Sequence, residues 1–563
     1  MKLLFSSLFL SVGFALSAQN ALFIPDTIVG PNYSLTMHKD SMQFLPGIIT
    51  QTFAFNSNHY LGPTIIFNKG TNVNITINNQ IGDTTTVHWH GFHVPAKWDG
   101  GPHTPILPSA SSYPQFTIMN DAATFWYHTH TDMKTAVQTL KGAAGLIIVR
   151  DTIESKIILP RKYNIDDFPV MVQCMQFDSL NQVIPRGMQD SILLVNGTIT
   201  PYLNAPAQVV RLRLLNGSGE RTFNFGFTGN MPFYQIASDG GLLDAPVLTT
   251  RVRLSPGERA EVLLNLSGMN GQSFYLMSYA SEIAMGIQGG PTMPMTSGPP
   301  MNSPLNGIDF NIMQINVKPQ TTNPVTTIPV ALVTNTPYLE SQANITRTIH
   351  FTADSITVMD GPFYFNDSTF NMDRIDYVIP INNIEIWKLV NQTMVAHPFH
   401  IHDEQFFILD RDTSLPSLQE KGQKDVILVP PGDSARFIVK FTDFADTTIP
   451  YMYHCHILMH EDDGMMGQFE VSPFPAGIPE SNKDYRVNVF PNPANDFLTI
   501  LLHTPNVKTR VEMYNVFGQK VLQTNSTGKT TSLPVSTLPS GVYLLNLSNA
   551  AGLQYTNKIV ISR

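Results

Sequence analysis

An all-β chain built of several sandwich domains is what this sequence predicts, on three observations. Its 563 residues are too many for one core and suggest three or four domains. Apolar residues fall in short Val/Ile/Phe/Tyr runs, some strictly alternating, as in Thr71-Asn72-Val73-Asn74-Ile75-Thr76-Ile77, and Asn-Gly, Pro-Gly and Gly-Asp turns interrupt them. Long amphipathic helices are scarce, whereas 37 glycines and 41 prolines supply the turn chemistry of sandwiches.

The elements follow in order. Met1-Lys2 and the apolar stretch Leu3 to Ala18 have one positive charge, a length too short to span a bilayer, and small residues up to Ala18, the pattern of a secretory signal peptide. No later segment is apolar for 18 residues, so no transmembrane segment is expected. A first sandwich is expected over 22–150, closing on the strand Ala144-Gly145-Leu146-Ile147-Ile148-Val149, and a second over 156–317, with Val209 to Leu215 running into the turn Asn216-Gly217. The Thr/Pro/Asn-rich segment Lys318 to Pro324 opens a linker over 318–344, and a third sandwich over 345–475 stops where Pro475 and Pro479 appear. Residues 485–563 form a separate module, in which strands around Val489-Phe490, Met513 to Val516 and Val542-Tyr543 alternate with turn residues to make a small β-sandwich. Only two cysteines are present, so export brings no disulfide framework, and Cys174 reads as a buried free thiol.

The chemistry lies in the histidines. Ten of the 16 fall into four short clusters: His88/His90, His128/His130, His397/His400/His402 and His454/His456/His460. Each cluster holds a His-x-His pair in an apolar or aromatic stretch that reads as a strand or strand end, and in a strand residues i and i+2 face the same way. Four converging pairs would aim eight imidazoles at one locus, enough for three metal ions. The segment His454-Cys455-His456, with His460 and Met465 following, adds a thiolate and a thioether. One Cys, two His and a weak Met donor, with His397 as the second imidazole, fit a trigonal copper site better than tetrahedral zinc, which would want more thiolates. Cys455 points to the opposite face of its strand from its neighbours. An electron taken at the Cys455 site would therefore reach the three-metal site along a covalent path of order 10 Å, at about 3.3 Å per extended residue.

His88-Trp89-His90-Gly91, Trp126-Tyr127-His128-Thr129-His130, the His397 to His402 run and the His454 to Met465 run resemble the four copper signatures of the multicopper oxidases. Their order and spacing resemble the bacterial laccase, copper-efflux-oxidase and spore-coat-laccase branch, over about residues 22–475. The resemblance implies three cupredoxin-like Greek-key sandwiches and four copper ions: a type 1 ion held by His397, Cys455 and His460 with Met465 axial, a type 2 ion held by His88 and His400, and a type 3 pair held by His90, His128, His130, His402, His454 and His456. It also implies one-electron oxidation of phenolic, aromatic or metal-ion donors coupled to four-electron reduction of dioxygen to water. Asp99, in Trp98-Asp99-Gly100-Gly101, and Glu461, beside His460, would relay the protons. Asp462 and Asp463 have the composition of a solvated acidic turn. Met466 reads as packing, and His38, His59, His93, His103, His350 and His503 read as non-ligands. The second sandwich contains none of the pairs, so it is expected to bridge the outer two, whose interface carries the three-copper cluster.

Other readings stay open: an electron carrier or copper-binding protein, a cuprous oxidase of copper resistance, and nitrite reduction. Met285, Met293, Met295 and Met301 could bind cuprous copper in a Gly/Pro/Met loop, though packing methionines explain them as well. The denser Met-rich insertion of copper-efflux oxidases is missing from the third sandwich.

The last segment resembles the C-terminal sorting domain of the type IX secretion system of Bacteroidetes, which implies export to the cell surface or medium and cleavage. It carries seven Lys/Arg against two Asp/Glu; with the chain at −9 and Lys2 set aside, residues 19–484 stand at −15. So acidic a body excludes nucleic acid as a partner and mildly favours neutral or cationic donors. A monomer is expected.

Overall fold

The computed structural model describes residues 20–187, 189–292, 303–355, 358–473, 487–502, 508–516, 518–549 and 554–563. The signal-peptide segment, Met293, Met295, Met301 and His503 lie outside them. Two compact units are present, one ending at Pro473 and the other running to Arg563. Strands dominate both, and the described α-helices are the short Ala96–Asp99, Thr135–Leu140 and Leu458–Asp462. Among the described residues no helix is long and apolar enough to cross a membrane.

The larger unit is three pairs of sheets. In the first, Thr50–Phe55, Asn32–Met42, Asn72–Gln80 and Ser111–Ser112 lie side by side opposite a five-stranded sheet ordered Thr27–Val29, Thr64–Asn68, Ala144–Arg150, Thr124–His128 and His88–His90. The alternation seen in the sequence sets the inward faces, since Val73, Ile75 and Ile77 enter the core that also holds Trp89, Phe125, Tyr127 and Ile147. Trp89 and Tyr127 therefore drive the flanking histidines to the other face of their strands.

The second pair joins a seven-stranded and a six-stranded sheet around Val170, Leu212, Phe225, Val262 and Ile315. Its six-stranded sheet recruits Asn20–Ala21, parallel to Pro201–Tyr202, so the chain touches the second sandwich before it builds the first. Residues 318–344 hold few regular elements but are strapped down: Val209 N–H donates to Val325 (2.8 Å), Leu332 N–H donates to Asp244 (2.8 Å), and Leu332 packs on a side cluster of the second core.

The third pair stacks the sheet of Phe363–Phe365, Ile345–Ala353, Ile384–Asn391, Ser434–Lys440 and Phe407–Arg411 on the sheet of Tyr377–Pro380, Met466–Ser472, Asp446–Cys455, His397–Ile401 and Val426–Val429. Trp387, Phe399, Phe437, Tyr453 and Phe469 fill the space between them. The smaller unit is likewise two-layered, with three strands (Val487–Phe490, Phe497–Leu502, Thr530–Pro534) and four (Lys520–Ser526, Thr509–Asn515, Gly541–Asn549, Gln554–Ile561) around Leu498, Ile500, Val511, Met513 and Leu545.

A buried ionic network fastens the first sandwich to the second. Arg213 donates to Asp167 (2.7 and 3.0 Å), to Glu261 (2.5 Å) and to Thr124 (2.9 Å), while Arg211 donates to Glu154 (2.8 Å) and Glu261 (2.9 Å). Thr124 also donates to Glu261 at 2.7 Å. Deleting Arg213 leaves Asp167 to Arg150 and Glu261 to Arg211 and removes buried charge-assisted hydrogen bonds worth about 1.5–3 kcal/mol each. Arg213→Ala is therefore expected to lower the thermal midpoint followed by circular dichroism, and an unchanged midpoint would contradict the network's role.

Candidate metal centre

The backbone register explains why the four His-x-His pairs meet. His88–His90 runs antiparallel to Thr124–His128, with His88 opposite His128. In the third sandwich His397–Ile401 pairs with Asp446–Cys455, with His400 opposite His454 and Phe399 opposite Cys455. All ten clustered histidines are buried.

Two triads of imidazole nitrogens result. His90 Nδ1 lies 3.2 Å from His456 Nε2 and 3.4 Å from His128 Nε2. His454 Nε2 lies 3.2 Å from His130 Nε2 and 3.3 Å from His402 Nε2. A cation centred in either triad would sit about 2 Å from each nitrogen, the length of a metal–imidazole bond. The remaining pair is oriented by backbone: His88 Nδ1 donates to Asp99 O (2.9 Å) and His400 Nδ1 to Asp425 O (2.8 Å). Their Nε2 atoms are buried without a hydrogen-bond partner. Buried polar atoms are almost always paired, so two orphan nitrogens beside His402 within one group of potential ligands mark a place for a cation. The residues present therefore fit three metal ions.

A fourth group lies on the other face of the Cys455 strand. Cys455 Sγ is 3.5 Å from His397 Nδ1 and 3.6 Å from His460 Nδ1, and all three are buried. His460 is carried by the short helix Leu458–Asp462. Thr393 Oγ1 lies 3.0 Å from His397 Nε2 and fixes that ring, and Phe363 packs 4.7 and 4.6 Å from the rings of His397 and His460. Met465 is fully buried in the same core, its N–H donating to His460 O (2.8 Å) and its carbonyl accepting from Cys455 N–H (3.0 Å), whereas Met466 lies opposite His454 in the sheet. Cys455, placed between His454 and His456, thus belongs to one group while its two neighbours belong to the other.

Burial and mutual proximity keep eight of these imidazoles neutral. Burial alone pushes His397 down to about 3; burial with neighbouring imidazoles pushes His456 to about 3. His130 is pushed to about 4, and His90, His128, His400, His402 and His460 fall well below the ordinary imidazole value. Their lone pairs are free for a metal at neutral pH. Burial pushes the Cys455 thiol up, a preference that a bound cation reverses by stabilising the thiolate.

Asp99 and Glu461 reach the same centre. Asp99 ends the turn Ala96–Asp99, closed by Gly100 at φ +83°, where a Cβ would fall 1.9 Å from the Val87 carbonyl oxygen. Asp99 Oδ2 accepts from His402 Nδ1 (2.7 Å), and Oδ1 lies 3.4 Å from His88 Nδ1. Glu461 lies 3.1 Å from His454 Nδ1 and 3.5 Å from His130 Nδ1. Burial pushes Glu461 up, but those imidazoles outweigh it and hold the carboxyl low. Both carboxylates keep buried oxygens without a hydrogen-bond partner.

Asp462 and Asp463 are not a solvated turn. Asp462 accepts from the N–H groups of Thr135 (2.9 Å) and Ala136 (3.0 Å) at the start of the helix Thr135–Leu140, and burial with Glu461's charge raises it to about 8. Asp463 pairs with Arg186, which also holds Asp360 (2.9 Å). Among the unclustered histidines, His93 lies between Asp403 (2.8 Å) and Asp443 (3.2 Å), and His103 donates to Gln468 (2.6 Å). Met285 is exposed and Cys174 is a buried free thiol. Nothing in the sequence pattern points to Asp425, whose carboxylate lies 3.1 Å from His90 Nε2, or to Arg259, which donates to both of its oxygens at 2.6 Å. Neither sits in a motif.

Family models described as multicopper oxidase match residues 36–154 and 336–475, and one described as a secretion system C-terminal sorting domain matches residues 488–562. The multicopper oxidase mco of Staphylococcus haemolyticus is 33% identical over 450 residues, 78% of this chain and 88% of that one. The cell division protein FtsP of Xenorhabdus nematophila is 30% identical over 422 residues, 74% and 84% of the two chains. Among solved structures, the laccase-like multi-copper oxidase CueO of Ochrobactrum sp. superposes with a TM-score of 0.70 at 30% identity, covering 80% of this chain and 100% of that one.

Proposed function

Because this chain belongs to the multicopper oxidase family, we propose that it is an exported, laccase-like oxidase that couples one-electron oxidation of phenolic, aromatic or metal-ion donors to reduction of dioxygen to water. The observation that carries this reading is the pairing of a Cys455 donor group with eight converged imidazoles across a single peptide segment. In this reading His397, Cys455, His460 and Met465 would hold the type 1 ion. His88 and His400 would hold the type 2 ion; His90, His128 and His456 would hold one type 3 ion, and His130, His402 and His454 the other. The sandwiches 22–150, 156–317 and 345–475 are its three domains.

Copper bound there supplies single-electron uptake at the sulfur-ligated site and four-electron delivery to dioxygen at the three-ion site. The chain supplies the rest. Cys455 links covalently to His454 and His456, so the electron path needs no moving part. Burial of every ligand excludes bulk water from the oxygen-reducing site. Asp99, between His402 and His88, and Glu461, between His454 and His130, take up and pass on protons through carboxylate oxygens that have no hydrogen-bond partner. The sorting domain directs export, and the acidic body disfavours anionic donors.

The likeness to a cell division protein favours a second reading, a role in cell division, and a single blue site would equally serve an electron carrier. Against both, neither needs the eight-imidazole centre. Oxygen uptake by copper-loaded protein with a simple phenol tests the choice: four donor equivalents consumed per dioxygen, with blue absorption and a near-ultraviolet shoulder, are expected of the oxidase. Blue colour without oxygen uptake would contradict it. Replacing the axial thioether removes a donor that favours the oxidised ion, so Met465→Leu is expected to keep the blue colour and raise the potential in a redox titration. A fall in potential would refute the axial assignment.

A further inference from the structure

Of the eight imidazoles at the three-ion site, seven present Nε2 and one, His90, presents Nδ1. The cause is visible on its far side, where Nε2 lies 3.1 Å from Asp425 Oδ1. The same residue's backbone carbonyl accepts from His400 Nδ1 at 2.8 Å. Asp425 therefore holds one ring of the type 3 set through its side chain and one ring of the type 2 set through its backbone.

Asp425 is itself held by Arg259, from the second sandwich. The guanidinium grips both carboxylate oxygens at 2.6 Å, and its other N–H groups reach the carbonyls of Thr124 (3.1 Å), Gly257 (3.0 Å) and Asp239 (2.8 Å). All five guanidinium donors are thus used, on acceptors drawn from the first, second and third sandwiches. Arg259 and Asp425 are both fully shielded from solvent. Gly91, directly after His90 at φ +83°, leaves room for the pair: a Cβ there would meet Asp425 Oδ2 at 2.4 Å and Arg259 Nη2 at 2.8 Å. Lys424 extends the link to Asp239 (2.8 Å) and Glu258 (2.9 Å) of the second sandwich.

We propose that Arg259 and Asp425 form a positioning unit for the three-ion site, selecting Nδ1 ligation at His90 and orienting His400. Through it the second sandwich, which supplies no ligand, acts on the metals instead of only joining its neighbours. The carboxylate accepts the Nε2–H of His90, which fixes that ring's tautomer and makes its Nδ1 a stronger donor; the two-pronged guanidinium fixes the orientation of the carboxylate. Losing such support around a metal costs about 10–100-fold in affinity.

This inference rests on the copper assignment above, and the test separates the two. Wild-type protein without a near-ultraviolet shoulder or with a single copper would sink the assignment itself. Given a wild type that shows both bands, Asp425→Asn is expected to lose the near-ultraviolet shoulder and release copper from the three-ion site at about 10–100-fold lower chelator concentration, while the blue band persists. Arg259→Lys, which keeps the charge but not the fork, is expected to show the same selective loss to a smaller degree, and it serves if the Asn variant fails to fold. Wild-type chelator resistance in both variants would overturn the proposal. So would loss of both bands together with a lowered thermal midpoint of the metal-free protein, the signature of a role in docking alone.

Discussion

Cys455→Ser is expected to abolish the blue absorption and to reduce turnover by more than the ~10–100-fold typical of losing a group that merely supports a metal ligand. The thiolate contributes twice: it is the soft donor that selects copper beside His397 and His460, and its sulfur is the entry to the covalent path to His454 and His456. Serine is nearly isosteric, and its hydroxyl could hydrogen-bond the two Nδ1 atoms left at 3.5 and 3.6 Å, so the sandwich should survive. The check is a spectrum, a copper count and an oxygen-uptake rate on one preparation. A variant that keeps turnover within tenfold of wild type would remove Cys455 from the electron path.

Asp99→Asn is expected to slow steady-state oxygen consumption by about a hundredfold or more while leaving the blue absorption intact, as befits loss of a general acid. Asn preserves the shape that accepts from His402 at 2.7 Å but cannot carry a proton toward the orphaned Oδ1 position near His88. The discriminating comparison is anaerobic bleaching of the blue band by a phenol, which needs no proton delivery to oxygen and should proceed at the wild-type rate. Equal slowing of both steps would make Asp99 a structural residue, and slowing of neither would dismiss it.

Period-two alternation makes most of the centre legible in the sequence. Trp89 and Tyr127 are large apolar side chains that must face a core, so the histidines flanking them had to face the other way, and Cys455 had to leave the face of His454 and His456. What stayed hidden was held by tertiary contact alone. Asp425 looks like any acidic residue at the start of a strand, and Arg259 meets it only when the second and third sandwiches close. For the same reason the sequence leaves Asp462 and Asp463 undecided: a solvated turn and a helix cap share a composition, and only the approach of Thr135 and Ala136 distinguishes them. Strand Asn20–Ala21 was likewise beyond sequence pattern, because two residues carry no period and their partner lies far along the chain.

Elemental analysis of the fully copper-loaded chain bears most directly on whether the imidazoles share a multi-ion centre. Four copper ions per chain are expected, three of them remaining in Cys455→Ser. A single copper per loaded chain would contradict the oxidase assignment.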